Sequence, residues 1–231
     1  MILESAAVGP FFKNGYVVGC EQTKQAVYID PGDEVDQLLA FIAARELQVA
    51  HILLTHAHVD HVSGVAKAKR ALGVPIYLHK DDLFIYQNAV QTGAMFGLTV
   101  EEPPPVDRYY EGHGPFDSAD LARGKPIVFG DYEVRVAHTP GHCPGGVCLV
   151  LSKKGDPGAP HLFVGDTLFA GSIGRTDLPG GDYDTLLQAI TGVLFKFPDD
   201  SIVYSGHGPE TTIGREKTTN PFVLEYLASR P

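Results

Sequence analysis

The sequence predicts an α/β protein with a two-layer sheet core and helices outside. Three observations carry this. Short apolar strands alternate with helical segments, strands and a helix and then strands and a helix again, the order that such layered architectures require. Several strands end in glycine or a sharp turn followed by histidine or aspartate. The chain has 231 residues, 44% of them hydrophobic, enough for one large domain or two fused halves; we read it as a single domain spanning residues 1–231.

Residues 15–20 and 25–30 run apolar around a polar turn, Glu21 to Lys24, which predicts a hairpin closing at Asp30-Pro31-Gly32. Val35, Leu38, Leu39, Ile42 and Leu47 recur at helical spacing over 34–47. A strand over 50–54 leads into Thr55-His56-Ala57-His58-Val59-Asp60-His61. A helix over 64–72 stops at Gly73 and Pro75, and Ile76-Tyr77-Leu78 is a short strand. Residues 88–128 are the least regular. Pro103 to Pro105 and Gly112-His113-Gly114-Pro115 predict a surface excursion that forms a wall of the site. Strands follow at 132–138, 146–151 and 161–165, then a helix at 182–195 and a strand at 201–204. Glycines 141, 165, 206 and 208 fall where a side chain would obstruct the turn.

Composition excludes several classes. No run of about 18 apolar residues exists, so no membrane partner is expected. The N-terminus lacks the basic start of a secretory signal, and we read the protein as cytoplasmic. A net charge of −10 repels phosphate backbones, so nucleic acid is not an expected partner. Cys20, Cys143 and Cys148 form neither a disulfide framework nor a Cys-x-x-Cys metal pair; we read them as reduced thiols, with Cys143 a small buried side chain.

The densest chemistry lies at 55–61. Four side chains, His56, His58, Asp60 and His61, offer imidazole nitrogens and a carboxylate, the donors that zinc and similar cations take. They follow an apolar strand, whose rigidity suits a turn that must converge on one point. The same pattern, strand and then turn and then ligand, recurs at His142, Asp166 and His207. No Gly-x-Ser-x-Gly elbow and no phosphate-binding loop offers another nucleophile or phosphate site.

These residues resemble the metallo-β-lactamase-fold hydrolases. The matching motifs are Thr55 to His61, Pro140-Gly141-His142, Gly165-Asp166 and Gly206-His207-Gly208, in the family's order. The resemblance implies a four-layer αββα sandwich with the metal site at one edge of the sheets. It implies two divalent ions per chain, zinc first and iron or manganese as alternatives. His56, His58 and His142 would hold one ion, Asp60, His61 and His207 the other, and Asp166 would bridge them. Two metals lower the pKa of bound water from about 15.7 toward 7, giving a bridging hydroxide that attacks a carbonyl. Asp60 and Asp166 are then the catalytic carboxylates, Asp60 orienting the nucleophile or taking its proton.

Within that fold the chain is most similar to compact bacterial glyoxalase II-like proteins. Gly165 to Phe169, Gly174 to Asp182, the tail Gly206 to Gly214 and Asn220-Pro221-Phe222 carry the likeness. It implies cleavage of a thioester, S-2-hydroxyacylglutathione (S-lactoylglutathione), to glutathione and a 2-hydroxy acid. A bridging Asp166 argues against a β-lactam substrate, because true β-lactamases of the fold typically lack it. The chain departs from the longer glyoxalase II enzymes after His207, where about two dozen residues replace a helical domain with glutathione contacts. Arg175 is a candidate for a substrate carboxylate, with an ion pair to Asp177 or Asp182 as its alternative. His79, His138 and His161 are read as structural, His113 as a possible substrate neighbour, and Asp30 as a buttress of the ligand turn. Two other activities stay open: a mononuclear-iron persulfide dioxygenase using His56, His142 and Asp166, and a lactonase or phosphodiesterase on the same site.

Overall fold

The structure is a computed structural model, and it describes residues 1–110 and 125–229. His113 and the rest of the 112–115 stretch lie outside the described residues. The chain divides into two compact units, one built from Met1–Tyr110 with Val128–Tyr132, the other mainly from Glu133 onward.

The first unit is a six-stranded sheet, β1 (Ile2–Val8), β2 (Lys13–Gly19), β3 (Gln25–Ile29), β4 (Gln48–Leu53), β5 (Ile76–Leu78) and β6 (Arg108–Tyr109), in that spatial order. β1, β2 and β3 pair antiparallel. From β3 to β6 every pairing is parallel. Parallel neighbours end at the same edge, so the connections after β3, β4 and β5 emerge side by side, the place where open α/β sheets put their ligands. Helix α1 (Val35–Ala44) buries Val35, Leu38 and Ile42, one helical stripe, with strand residues Val17, Ala26, Tyr28 and Ile52. Helix α3 (Val65–Leu72) adds Val65 and Ala68 to the same core and ends at Gly73, whose φ of 68° is the left-handed stop.

Two features of this unit differ from expectation. The strand β1 was not foreseen: it is a half-exposed edge strand, and only its register against β2 makes it one. The excursion at 88–128 begins as regular structure. Helix α4 (Leu83–Gln87) precedes it and helix α5 (Ala89–Met95) opens it.

The second sheet has the order β14-β13-β10-β9-β8-β7, and its strands from Glu133 onward belong to the second unit. Its strands are β7 (Ile127–Phe129), β8 (Tyr132–His138), β9 (Val147–Lys153), β10 (His161–Gly165), β13 (Ile202–Ser205) and β14 (Thr211–Thr212). β10 and β13 run parallel, again placing two strand ends at one edge. A two-stranded ribbon, β11 (Leu168–Phe169) with β12 (Ser172–Ile173), follows β10. Helix α6 (Tyr183–Gly192) starts where Asp182 accepts the Thr185 N–H at 2.7 Å and buries Leu186, Leu187 and Ile190 against Cys148, Leu162 and Val203. The tail, in which no helix was foreseen, forms α7 (Ile213–Thr219) and α8 (Pro221–Ala228). Both carry legible caps: Thr212 accepts from Arg215, and Asn220 with Pro221 opens α8.

Candidate metal centre

The first unit brings together His56, His58, Asp60 and His61. They lie on the connection after β4, where α2 (Val59–Val62), a single turn of helix, reverses the chain. The rings of His56 and His58 meet edge to face with centroids 4.9 Å apart, and those of His56 and His61 are 4.0 Å apart. His61 Nε2 stands 3.8 Å from Asp60 Oδ2.

Asp30 holds this turn from the end of β3, as the sequence led us to expect. Its Oδ1 accepts the Thr55 N–H at 2.7 Å, and its Oδ2 takes the Thr55 hydroxyl at 2.6 Å and His61 Nδ1 at 2.9 Å. With its hydroxyl proton given to Asp30, Thr55 Oγ1 is left to accept from His56 Nδ1, 3.2 Å away. Both imidazoles are thereby set as Nδ1–H tautomers, an assignment that follows from the network. The lone pair of each then resides on Nε2, the state a metal ligand needs. Asp30 adopts a left-handed φ of 50°, unusual outside glycine, and its three bonds over-determine that conformation.

A buried ion pair lies under Asp30. Lys13 and Glu34, 2% and 1% exposed, stand 3.2 Å apart, and Lys13 also donates to the Asp30 carbonyl. Glu34 Oε1 takes the Gly32 N–H at 2.8 Å and the Tyr28 hydroxyl at 3.2 Å. Burial, and then the Glu34 charge, push the Tyr28 phenol well above its ordinary value. A Cβ on Gly32 would come within 2.2 Å of the Asp60 carbonyl, so the Asp30 loop and the ligand turn touch backbone to backbone.

The second unit brings together His142, Asp166 and His207, from the connections after β8, β10 and β13. Asp166 Oδ2 is 3.6 Å from His142 Nε2 and 3.4 Å from His207 Nε2. His142 Nδ1 donates to the Arg175 carbonyl at 2.7 Å, which again leaves the lone pair on Nε2. The Gly206 N–H donates to the Gly165 carbonyl at 2.8 Å and links the Asp166 and His207 loops. Gly141, at φ 126°, admits no side chain, because a Cβ would meet the Leu186 backbone nitrogen at 2.3 Å. Gly165 and Gly208 also have positive φ; Gly206 does not, so the expected need for glycine there is not a matter of handedness.

The donor sets fit divalent ions. Donors about 2.0–2.1 Å from a tetrahedral ion lie roughly 3.3 Å from each other. The separations from Asp166 and that of the Asp60–His61 pair, 3.4–3.8 Å, are close to this and too long for good hydrogen bonds.

Other expectations resolve residue by residue. Arg175 turns Nε and Nη2 to Asp177, both at 2.7 Å, holding that carboxyl down at about 2. The ion-pair alternative for Arg175 is thus realised, and its carbonyl has a role in orienting His142 that no side-chain reading would find. Cys143 and Cys148 are fully buried, and burial pushes the Cys148 thiol up. His79 accepts the Asp81 N–H at its helical turn, and His138 Nε2 donates to the Pro144 carbonyl at 2.8 Å. Asp82 was not among the expected site residues. Asp82, fully buried, takes the Ala57 N–H at 2.9 Å. The signal was present, since 76–82 also reads strand, then histidine and aspartate.

Among the described residues, no helix is long and apolar enough to cross a membrane. The metallo-beta-lactamase superfamily profile matches residues 8–207. The hydroxyacylglutathione hydrolase GloC of Haemophilus influenzae is 34% identical over 96% of this chain and 98% of its own. Among solved structures, BLEG-1 B3 metallo-beta-lactamase superposes with a TM-score of 0.82 at 34% identity, covering 96% of this chain and 99% of its own. TTHA1623 in a di-iron-bound form superposes with a TM-score of 0.78 at 39% identity, covering 95% and 99%. The chain belongs to the metallo-β-lactamase superfamily and has its fold; it is a metal-dependent hydrolase of that fold.

Proposed function

We propose that the two half-sites together hold two divalent ions and that the chain hydrolyses thioesters, S-2-hydroxyacylglutathiones being the substrate class. The observation that carries this is Asp166 Oδ2, a single oxygen near His142 on one side and His207 on the other. In this reading His56, His58 and His142 hold one ion, Asp60, His61 and His207 the second, and Asp166 is shared. When bound, such ions activate water at neutral pH and polarise the scissile carbonyl. Asp30, Thr55 and the Arg175 carbonyl keep His61, His56 and His142 in the ligating tautomer. Asp60, 15% exposed at its side chain, would orient the attacking water and take its proton. The thiol leaving group has a pKa of about 8.5 and needs little acid assistance.

The likeness to GloC over nearly the whole chain supports the thioester reading, and the di-iron form of TTHA1623 supports a two-metal site open to iron as well as zinc. The test is a hydrolysis panel with metal analysis on the same sample: S-lactoylglutathione, other thioesters, a homoserine lactone, a phosphodiester and glutathione persulfide. A β-lactam joins the panel because BLEG-1 bears that activity in its name. We expect thioester cleavage with two metals per chain. Absence of thioester cleavage under every metal loading would sink the reading, as would oxygen consumption with the persulfide and one iron per chain.

A further inference from the structure

Two buried carboxylates stand behind the ligand turn, and they hold different parts of it. Asp30 takes the two ends, Thr55 and His61. Asp82 takes the middle, the N–H of Ala57, at 2.9 Å. Ala57 is itself fully buried and separates His56 from His58. Rotation of the backbone at that point would swing both imidazoles, whose rings are packed edge to face. A charge-assisted bond from a buried carboxylate to a buried N–H is among the stronger single restraints available.

The local geometry of Asp82 supports a role directed at this turn. It occupies the N-cap position of α4, where an aspartate would ordinarily accept from its own helix, yet its side chain makes no capping bond there. The parallel pairing of β4 with β5 brings the connection after β5 beside the ligand turn. Asp82 therefore reaches across to Ala57 from a neighbouring strand end, as Asp30 does to Thr55 from the other side.

We propose that Asp82 is a positioning residue that sets the His56–His58 pair and so the affinity of the metal that pair holds. The inference rests on the metal reading above and adds to it a residue outside the ligand set. It makes one site adjustable by itself: Asp82 acts on the metal of His56 and His58 alone, whereas Asp30 reaches His61 directly and His56 through Thr55.

The test measures zinc affinity by competition with a chromophoric chelator in two backgrounds. In His61→Ala the zinc of the His56–His58 side remains, and adding Asp82→Ala should weaken it by about 10–100-fold, the usual effect of removing a partner behind a ligand. In His58→Ala the other zinc remains, and Asp82→Ala should leave its affinity unchanged. Asp82→Asn, which keeps an oxygen to accept from Ala57 but not the charge, should restore most of the affinity of the His61→Ala parent; a general loss of packing would not be rescued in this site-selective way. Equal weakening in both backgrounds, or none in either, overturns the proposal. If Asp82→Ala does not fold, Asp82→Glu decides: it keeps the charge but displaces the acceptor, and an unchanged His56–His58 affinity overturns the proposal. A wild-type protein with a single zinc, lost alike in His58→Ala and weakened by Asp82→Ala, would overturn the dinuclear reading and uphold this one.

Discussion

The two units solve the same problem in opposite ways. The first draws its four candidate ligands from one continuous turn, His56 to His61. The second draws three from separate connections, at residues 142, 166 and 207. A continuous turn already holds its ligands near each other, so what it lacks is orientation. Asp30 supplies that by bonding directly to His61 and, through Thr55, to His56. Dispersed ligands need their loops held together before orientation matters. There the buried carboxylate is Glu216 in α7, which touches no ligand. It takes the Gly171 N–H beyond Asp166 at 2.9 Å, the Thr211 hydroxyl beyond His207 at 2.6 Å, and Asn220 Nδ2 at 2.9 Å. This assigns a physical role to the tail motif: Glu216 and Asn220 tie the last two ligand loops to the C-terminal helices.

The sharpest way to break this contrast is at Asp166, whose Oδ2 the proposed function gives to two ions. Asp166→Ala should release both metals and cut turnover by more than about a hundredfold, exceeding the effect of changes behind the ligands. His61→Ala should cost one metal. Metal analysis after gel filtration separates the two; an Asp166→Ala protein that keeps both ions tightly would show that the units do not share a ligand.

Next in size is the support beneath Asp30. Lys13→Met leaves Glu34 as a buried charge without its cation and should cost about 3–5 kcal/mol, read as a lower midpoint in urea. An unchanged midpoint would mean that the pair does not brace the first unit. Glu216→Gln should cost less, about 1–3 kcal/mol, because the amide keeps one acceptor while turning donors toward a donor. Its metal loss should fall on Asp166 and His207; a variant with reduced stability and intact metal affinity would reduce Glu216 to a packing residue.

The smallest expected effect is alkaline. Burial, and then the charge of Glu210, push the Tyr204 phenol in the second unit up to about 12. Tyr28 and Tyr110 in the first unit are raised well above the ordinary value, chiefly by burial. The fold favours the neutral phenol in each. The Tyr204 contribution is therefore complete below the ordinary phenol value of about 10 and is lost as pH rises toward about 12. An absorbance titration should show exposed phenols ionising first, with Tyr204, Tyr28 and Tyr110 ionising above the ordinary value. Ionisation of every tyrosine near the ordinary value in a folded protein would contradict this order.

The elements that read correctly were those with strong local signals. The β2–β3 hairpin, α1 and α3 show clear periodicity or punctuation, and β5 is a short apolar run bounded by Pro75 and His79. Among the elements missed, α7 and α8 carry caps, but β1 and α5 have no strong local signal. β1 mixes Glu4 and Ser5 with small apolar residues and exists through its pairing with β2. α5 contains Gly93, where a Cβ would come within 2.5 Å of Val100, and glycine weakens any helical signal.

By itself, the sequence determined which side chains can ligate and where strands must end before them, because ligand chemistry and hydrophobic alternation are local properties. It also placed Asp30 correctly as a buttress. Only the tertiary structure decided which carboxylate stands behind which ligand. Asp82 reaches Ala57, and Glu216 reaches Gly171, through strand order and helix packing. Those are long-range pairings set by burial and register, and no spacing along the chain encodes them.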